Sequence, residues 1–292
     1  MKKILALLLA ALMVGSMMTG CTKQETTSGE ESAQTQQTES EAKEEPVEEE
    51  TQAVFTGAYI ADPEYIKSKI GSEDVIFIDA RGADAAKKGT IEGAIATAWQ
   101  PLARCAEGAS GDEMWGTILP LDQLSEVLSS MGITPDKEII LFSDGKDGWG
   151  DDGRIAWELL AVGFENVKIA DRGFSALKEA GVPTQKGAAE FTPAEVTVSE
   201  LDETHLINTD ALVETYDSVK VVDVRADEEY NGEVLYGEKA GGHLPGAIHI
   251  RFTDLFNDDN VLKSNEEITA MFEEAGLSKD DKIEIGRASC RE

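Results

Sequence analysis

Val219-Lys220-Val221-Val222-Asp223-Val224-Arg225, followed by Gly242-His243-Leu244-Pro245-Gly246-Ala247-Ile248, decides the fold, because both stretches occur twice in the chain. Val75-Ile76-Phe77-Ile78-Asp79-Ala80-Arg81 stands 144 residues before the first, and Gly89-Thr90-Ile91-Glu92-Gly93-Ala94-Ile95 stands 153 before the second. The second copy therefore carries about nine extra residues around Tyr236. A third pair, Gly132-Ile133-Thr134-Pro135-Asp136-Lys137 and Gly276-Leu277-Ser278-Lys279-Asp280-Asp281, restores the shift of 144. Each Asp-x-Arg triplet closes an apolar, β-branched run of the kind a buried parallel strand needs. Such runs alternate with helix-period segments, which predicts an α/β fold of two domains, each a mainly parallel sheet flanked by helices. Helices are predicted over 121–131 and 266–275, the second opening on the capping box Ser264-Asn265-Glu266-Glu267 and stopping at Gly276. The first copy continues with a helix over 154–162, a strand over 167–170 and a helix over 174–180, and the polar stretch 183–200 reads as the interdomain connection.

Outward from the repeat, the 292 residues leave room for about two domains, and three scattered cysteines cannot organise a disulfide framework. With 26 Lys and Arg against 57 Asp and Glu the formal net charge is −31, so the surface repels phosphate backbones and nucleic acid is excluded as a partner. The chain opens on Lys2 and Lys3, an apolar run from Ile4 to Val14, and Met18-Thr19-Gly20-Cys21, the layout of an export signal too short to span a membrane comfortably. Thr19-Gly20-Cys21 resembles the lipobox of bacterial lipoproteins, which implies a lipidated Cys21 and anchoring to the outer face of the cell membrane. Residues 22–53 hold ten Glu and two Lys among Thr, Ser and Gln, a composition that builds no core and reads as a self-repelling tether.

The motif pair at 222–225 and 242–247 resembles the rhodanese family, and the tandem arrangement is similar to that of thiosulfate and 3-mercaptopyruvate sulfurtransferases. The resemblance implies a sulfurtransferase without a cofactor, acting on a small anionic sulfur donor and a thiol or cyanide acceptor. It also implies a nucleophilic cysteine in the C-terminal unit, in a loop that curls backbone N–H groups around the sulfur between a strand and a helix. On this reading residues 1–20 are the leader and 21–54 the tether. Residues 55–187 form a first, catalytically silent rhodanese-like domain, and 188–283 a second, incomplete one.

In the first unit the strand Ile139-Ile140-Leu141-Phe142 runs into Ser143-Asp144-Gly145, so the resemblance sets Asp144 at the nucleophile position. A carboxylate cannot form a persulfide. Residues 144–153 are rich in carboxylates but fail the spacing of a calcium loop, and no metal is expected. The shift of 144 brings the second nucleophile position to Ala288, with Cys290 two residues late and only Arg291 and Glu292 after it. Ile283-Glu284-Ile285-Gly286-Arg287 does not read as a buried central strand. Residues 284–292 also match the translation of a short-read sequencing adapter. They are therefore expected to be foreign to the gene, with the catalytic cysteine near position 288 of the complete protein and this chain inactive.

Arg225, just past its strand, suits a donor's oxyanion or, equally, a salt bridge within the domain. Arg81, its counterpart, reads as structural, as does His243 in its Gly-His-Leu-Pro-Gly turn, and Cys105 reads as a small free thiol. The alternative to an enzyme is a non-catalytic binding lipoprotein on the same scaffold.

Overall fold

In the computed structural model, which describes residues 54–105, 114–238 and 240–286, the two sequence repeats become two sheets of the same design. The first repeat gives β1 (Ile60–Ala61), α1 (Pro63–Lys69), β2 (Val75–Asp79), α2 (Ala83–Ala86), β3 (Thr90–Ile91) and β4 (Ile95–Ala96). It continues through α3 (Leu121–Met131), β5 (Glu138–Phe142), α4 (Asp151–Ala161), β6 (Val167–Ala170), α5 (Phe174–Glu179) and β7 (Thr184–Gln185). The second gives α6 (Thr209–Thr215), β8 (Lys220–Asp223), α7 (Asp227–Tyr230), β9 (Ile248–His249), α8 (Asn265–Glu274) and β10 (Ile283–Gly286).

The first sheet is parallel in the order β1-β6-β5-β2-β4, and it explains why Val75–Ile78 and Ile139–Phe142 of its central strands are unbroken apolar runs. Ile78, Ile139 and Leu141 face Leu124 and Leu128 of α3 and Ile155 and Leu159 of α4. Phe77, Ile140 and Phe142 face Ile66 of α1 and Leu177 of α5. A sheet covered on both sides has no polar face for alternation to mark.

The second sheet repeats the register. Ile76 pairs with Ile139 in the first, and Lys220 pairs with Ile283 in the second, each partner moved by 144. Asp79 pairs with Ala96 and Asp223 with His249, carrying both shifts of the sequence. Among the described residues this sheet has the order β10-β8-β9, with Val222, Ile250 and Leu277 as its core beside Met271 and Phe272 of α8.

Three readings of the sequence are corrected. Ile283–Gly286 is a strand after all, in register with β8, and Ile285 is 64% exposed, so this strand gains from ladder hydrogen bonds where burial contributes little. The connection from 188 onward packs on the first domain instead of opening the second. Val196 and Val198 enter its core, and the hydroxyls of Ser129 and Ser125 accept from the Val196 and Val198 N–H groups at 3.0 Å. Helix α4 starts at Asp151, where two carboxylates in the first turn favour the positive end of the helix.

Glu158 of α4 is almost fully buried and accepts from the Arg154 guanidinium at 2.8 Å. Burial pushes its carboxyl up to about 7, against the pull of Arg154. A carboxyl raised in the folded state contributes stability below its ordinary titration range and loses it as pH climbs to the folded value. Wild type should therefore lose stability relative to Glu158→Gln between about pH 4.5 and about pH 7. Thermal melts of both proteins at pH 5 and pH 8 check this; a difference that does not change with pH contradicts it.

Candidate functional site

The end of β5 and the Asp-x-Arg triplet at the end of β2 meet because the two strands pair in parallel, Asp79 beside Phe142. The chain then turns sharply through Ser143, Asp144 and a short 3-10 turn at Gly145–Asp147, with Gly145 and Gly150 in the left-handed region at φ 60° and 71°. Only glycine adopts that backbone without strain. Ser143 is buried and its carbonyl accepts from the Phe174 N–H, which ties the loop to the start of α5.

Arg81 lies over the Phe174 ring, 3.9 Å from its centroid. Its Nε and Nη2 donate to the two Asp79 carboxylate oxygens at 2.8 and 2.7 Å, Nη2 also donates to the Gly89 carbonyl, and Nη1 reaches Asp144 Oδ1 at 3.4 Å. Burial works against its charge, but Asp79 outweighs this and the guanidinium is held more firmly protonated than usual.

Arg225 repeats the Nε and Nη2 contacts of Arg81. Its Nε and Nη2 donate to Asp223 at 2.9 and 2.7 Å, and Nη2 donates to the Gly242 carbonyl at 2.7 Å. The salt bridge within the domain, one of the two readings of this residue, is thus present. Burial alone would raise the Asp223 carboxyl, but the Arg225 hydrogen bonds hold it below its usual range. Ala288 and Cys290 lie outside the described residues, as do Cys21, the leader and residues 22–53 of the tether.

His243 and His249 sandwich the Tyr230 ring, with centroids at 3.7 and 4.2 Å, and each bonds a backbone carbonyl, that of Tyr230 and of Arg225 respectively. This fits the structural role read for His243. Cys105 is half buried in the first domain, and burial pushes its thiol up, away from the reactive range. The Asp144 side chain is 47% exposed and the loop beyond it carries Trp149, edge-on to Tyr236 of the second domain at 5.7 Å.

Sequence reasoning missed Asn260. The described residues belong to one compact unit, and within it the second domain's turn 257–261 lies on the Asp144 loop. The Asn260 carboxamide accepts from the Lys146 N–H at 2.8 Å and donates to the Asp144 carbonyl at 2.7 Å. The available signal was Asn257-Asp258-Asp259-Asn260, a run of turn-forming residues between apolar Phe256 and Leu262.

The family model described as Rhodanese-like domain matches residues 62–180 and 208–285. Mouse 3-mercaptopyruvate sulfurtransferase is 25% identical over 235 residues, covering 76% of this chain and 77% of its own. The sulfur carrier protein TtuD of Thermus thermophilus is 27% identical over 176 residues, 56% of this chain and 61% of its own length. SseA from Escherichia coli, whose crystal structure is described with the rhodanese fold of 3-mercaptopyruvate sulfotransferases, superposes with a TM-score of 0.63 at 19% identity, covering 80% of this chain and 92% of SseA.

Proposed function

We propose, from the premise that this chain belongs to the rhodanese-like domain family, that the complete protein is a sulfurtransferase whose second domain carries sulfane sulfur on a cysteine near position 288. Its donor is thiosulfate or 3-mercaptopyruvate and its acceptor a thiol or cyanide. With thiosulfate, the cysteine thiolate attacks the outer sulfur, the S–S bond breaks, and sulfite leaves with the bonding pair. The acceptor then attacks the persulfide's terminal sulfur and the thiolate is regenerated.

One observation carries this reading: the repeated guanidinium. In the first domain Nε and Nη2 of Arg81 are held by Asp79 and Gly89, while Nη1 extends to the nucleophile position. Arg225 uses the same two nitrogens on Asp223 and Gly242, which supports Nη1 as the group that meets position 288 and a donor's oxyanion there. The salt bridge and the anion-facing role, alternatives on the sequence, are then compatible in one side chain. Asp144 supports a silent first domain.

The test begins with a long-read sequence across the 3′ end of the gene, which the reading expects to continue into a cysteine close to codon 288. Protein carrying that continuation is then incubated with each donor. Intact-mass analysis should show one added sulfur, discharged by cyanide as thiocyanate, and Cys→Ser at that position should reduce both to background. Any other residue at that codon, or a cysteine that takes no sulfur, defeats the proposal and turns attention to the binding-module reading.

We also propose that Cys21 is lipidated and the protein held at the outer face of the cell membrane, which the motif at 18–21 and the acidic tract after it support. Expressed in bacteria with labelled fatty acid, the wild type should carry label and partition with detergent. Cys21→Ser should do neither, and equal behaviour of the two would remove the anchor from this account.

A further inference from the structure

Asn260 is the one non-glycine residue with positive φ, 59°, among the described residues, and it is 8% exposed. An asparagine held there carries a backbone cost that surrounding contacts must offset, and such positions concentrate where geometry matters. The Asn260 N–H donates to the Asn257 carbonyl within its own turn, while the side-chain contacts all lie in the other domain. Besides its bonds to Lys146 and Asp144, the carboxamide donates to Asp147 Oδ2 at 3.2 Å, and the Asn260 carbonyl accepts from the Gly173 N–H at 3.1 Å. The Lys146 ammonium donates to the Asn257 carbonyl and, at 2.9 Å, to that of Asp258. Val261 forms an antiparallel bridge with Arg172. The fit is close: a Cβ on Gly145 would run into the carboxamide oxygen, and one on Gly173 into its nitrogen.

The Lys146 N–H is the amide two residues beyond the nucleophile position, in the loop that a working domain would turn toward an anionic sulfur. Resting on the sulfurtransferase reading above, we infer that Asn260 is a built-in plug: its carboxamide oxygen occupies the first domain's anion socket as a neutral stand-in. The domain is thus silenced a second time, beyond Asp144, and its dead loop serves as the seat for the second domain's turn. Of the charges around this loop, Arg81 reaches residue 144, Asp147 accepts from the Asn260 carboxamide, and the Lys146 ammonium is turned to the carbonyls at 257 and 258.

The test introduces a thiol into the full 292-residue chain as Asp144→Cys, alone and combined with Asn260→Gly or Asn260→Asp. Glycine keeps the positive φ and removes the plug; aspartate keeps the volume and adds a negative charge. Alkylation of the introduced thiol by iodoacetamide, followed peptide by peptide as a function of pH, reads the thiolate midpoint without any sulfur donor. The midpoint should fall in the order Asp above Asn above Gly, with the Gly variant about tenfold faster than the Asn parent near neutral pH, as expected for a midpoint about one pH unit lower. Any other order overturns the plug, and should the Gly variant fail to fold, Asn260→Ser, whose shorter uncharged side chain gives up the Lys146 N–H, takes its place against the Asn parent. Thiosulfate is then added. Persulfide on the introduced thiol in the Gly variant alone supports both readings, whereas the expected alkylation order without sulfur loading keeps the plug and counts against thiosulfate as the family chemistry of this chain.

Discussion

Phe142→Ala is expected to destabilise the first domain by about 3–5 kcal/mol, the range for deleting a buried aromatic ring. Phe142 is the last residue of β5 and fully buried. Its ring stacks on Phe174 at 5.9 Å between centroids, and the Arg81 guanidinium sits 5.8 Å from it. The residue therefore joins three parts: the central strand, the start of α5, and the arginine that reaches Asp144. Truncation leaves a cavity whose walls belong to different elements, and such walls collapse poorly. Phe142→Leu fills most of that volume and should cost about 1.5 kcal/mol or less. Urea unfolding followed by the first domain's Trp99, Trp115 and Trp157 would measure both. A loss under about 1 kcal/mol for the alanine variant would show that the ring does not carry the junction.

The features legible in the sequence are those that obey a period. The repeat, the paired Asp-x-Arg triplets and the strand-to-helix order all follow from apolar spacing, and the structure returns them with their shifts intact. Arg225 was legible as a residue but not in geometry, because a spacing names neighbours along a strand and not which guanidinium nitrogen is left to face a ligand. The strap at 188–198 was hidden for a different reason. Its polar composition reads as linker, and the partners that let Val196 and Val198 be buried, Ser129 and Ser125, stand on α3, about 70 residues earlier in the chain. Asn260 was hidden because its partners, Asp144 and Lys146, lie more than a hundred residues away and its own surroundings resemble any solvated turn. Ile283–Gly286 was misjudged by asking what burial wants from a strand that is largely held by its backbone.

Because the chain contains the same unit twice, one substitution can be controlled by its own repeat. Gly132 and Gly276 end α3 and α8, Gly132 at φ 69° and Gly276, just past the α8 cap, at φ 85°. Alanine at either position must adopt a left-handed backbone, at about 1–2 kcal/mol. Around Gly276 nothing lies within 4 Å of the added methyl, so that cost is the whole expectation. At Gly132 the methyl would drive into the carbonyl of Thr192, in the strap that crosses this corner and is bonded there through Ala194 N–H to the Ser129 carbonyl at 2.9 Å. Either the strap lifts, withdrawing Val196 and Val198 from the core, or α3 frays at its end. Overpacking of this kind adds about 1–3 kcal/mol, so Gly132→Ala should cost about 2–5 kcal/mol in total. Urea unfolding of the two variants, with native-state hydrogen exchange at the Val196 and Val198 amides, separates the terms: both should weaken their domains, but only Gly132→Ala should expose those two amides. Equal losses from the two variants would mean that the strap does not press on the first domain as described, and the domain boundary would return to residue 188.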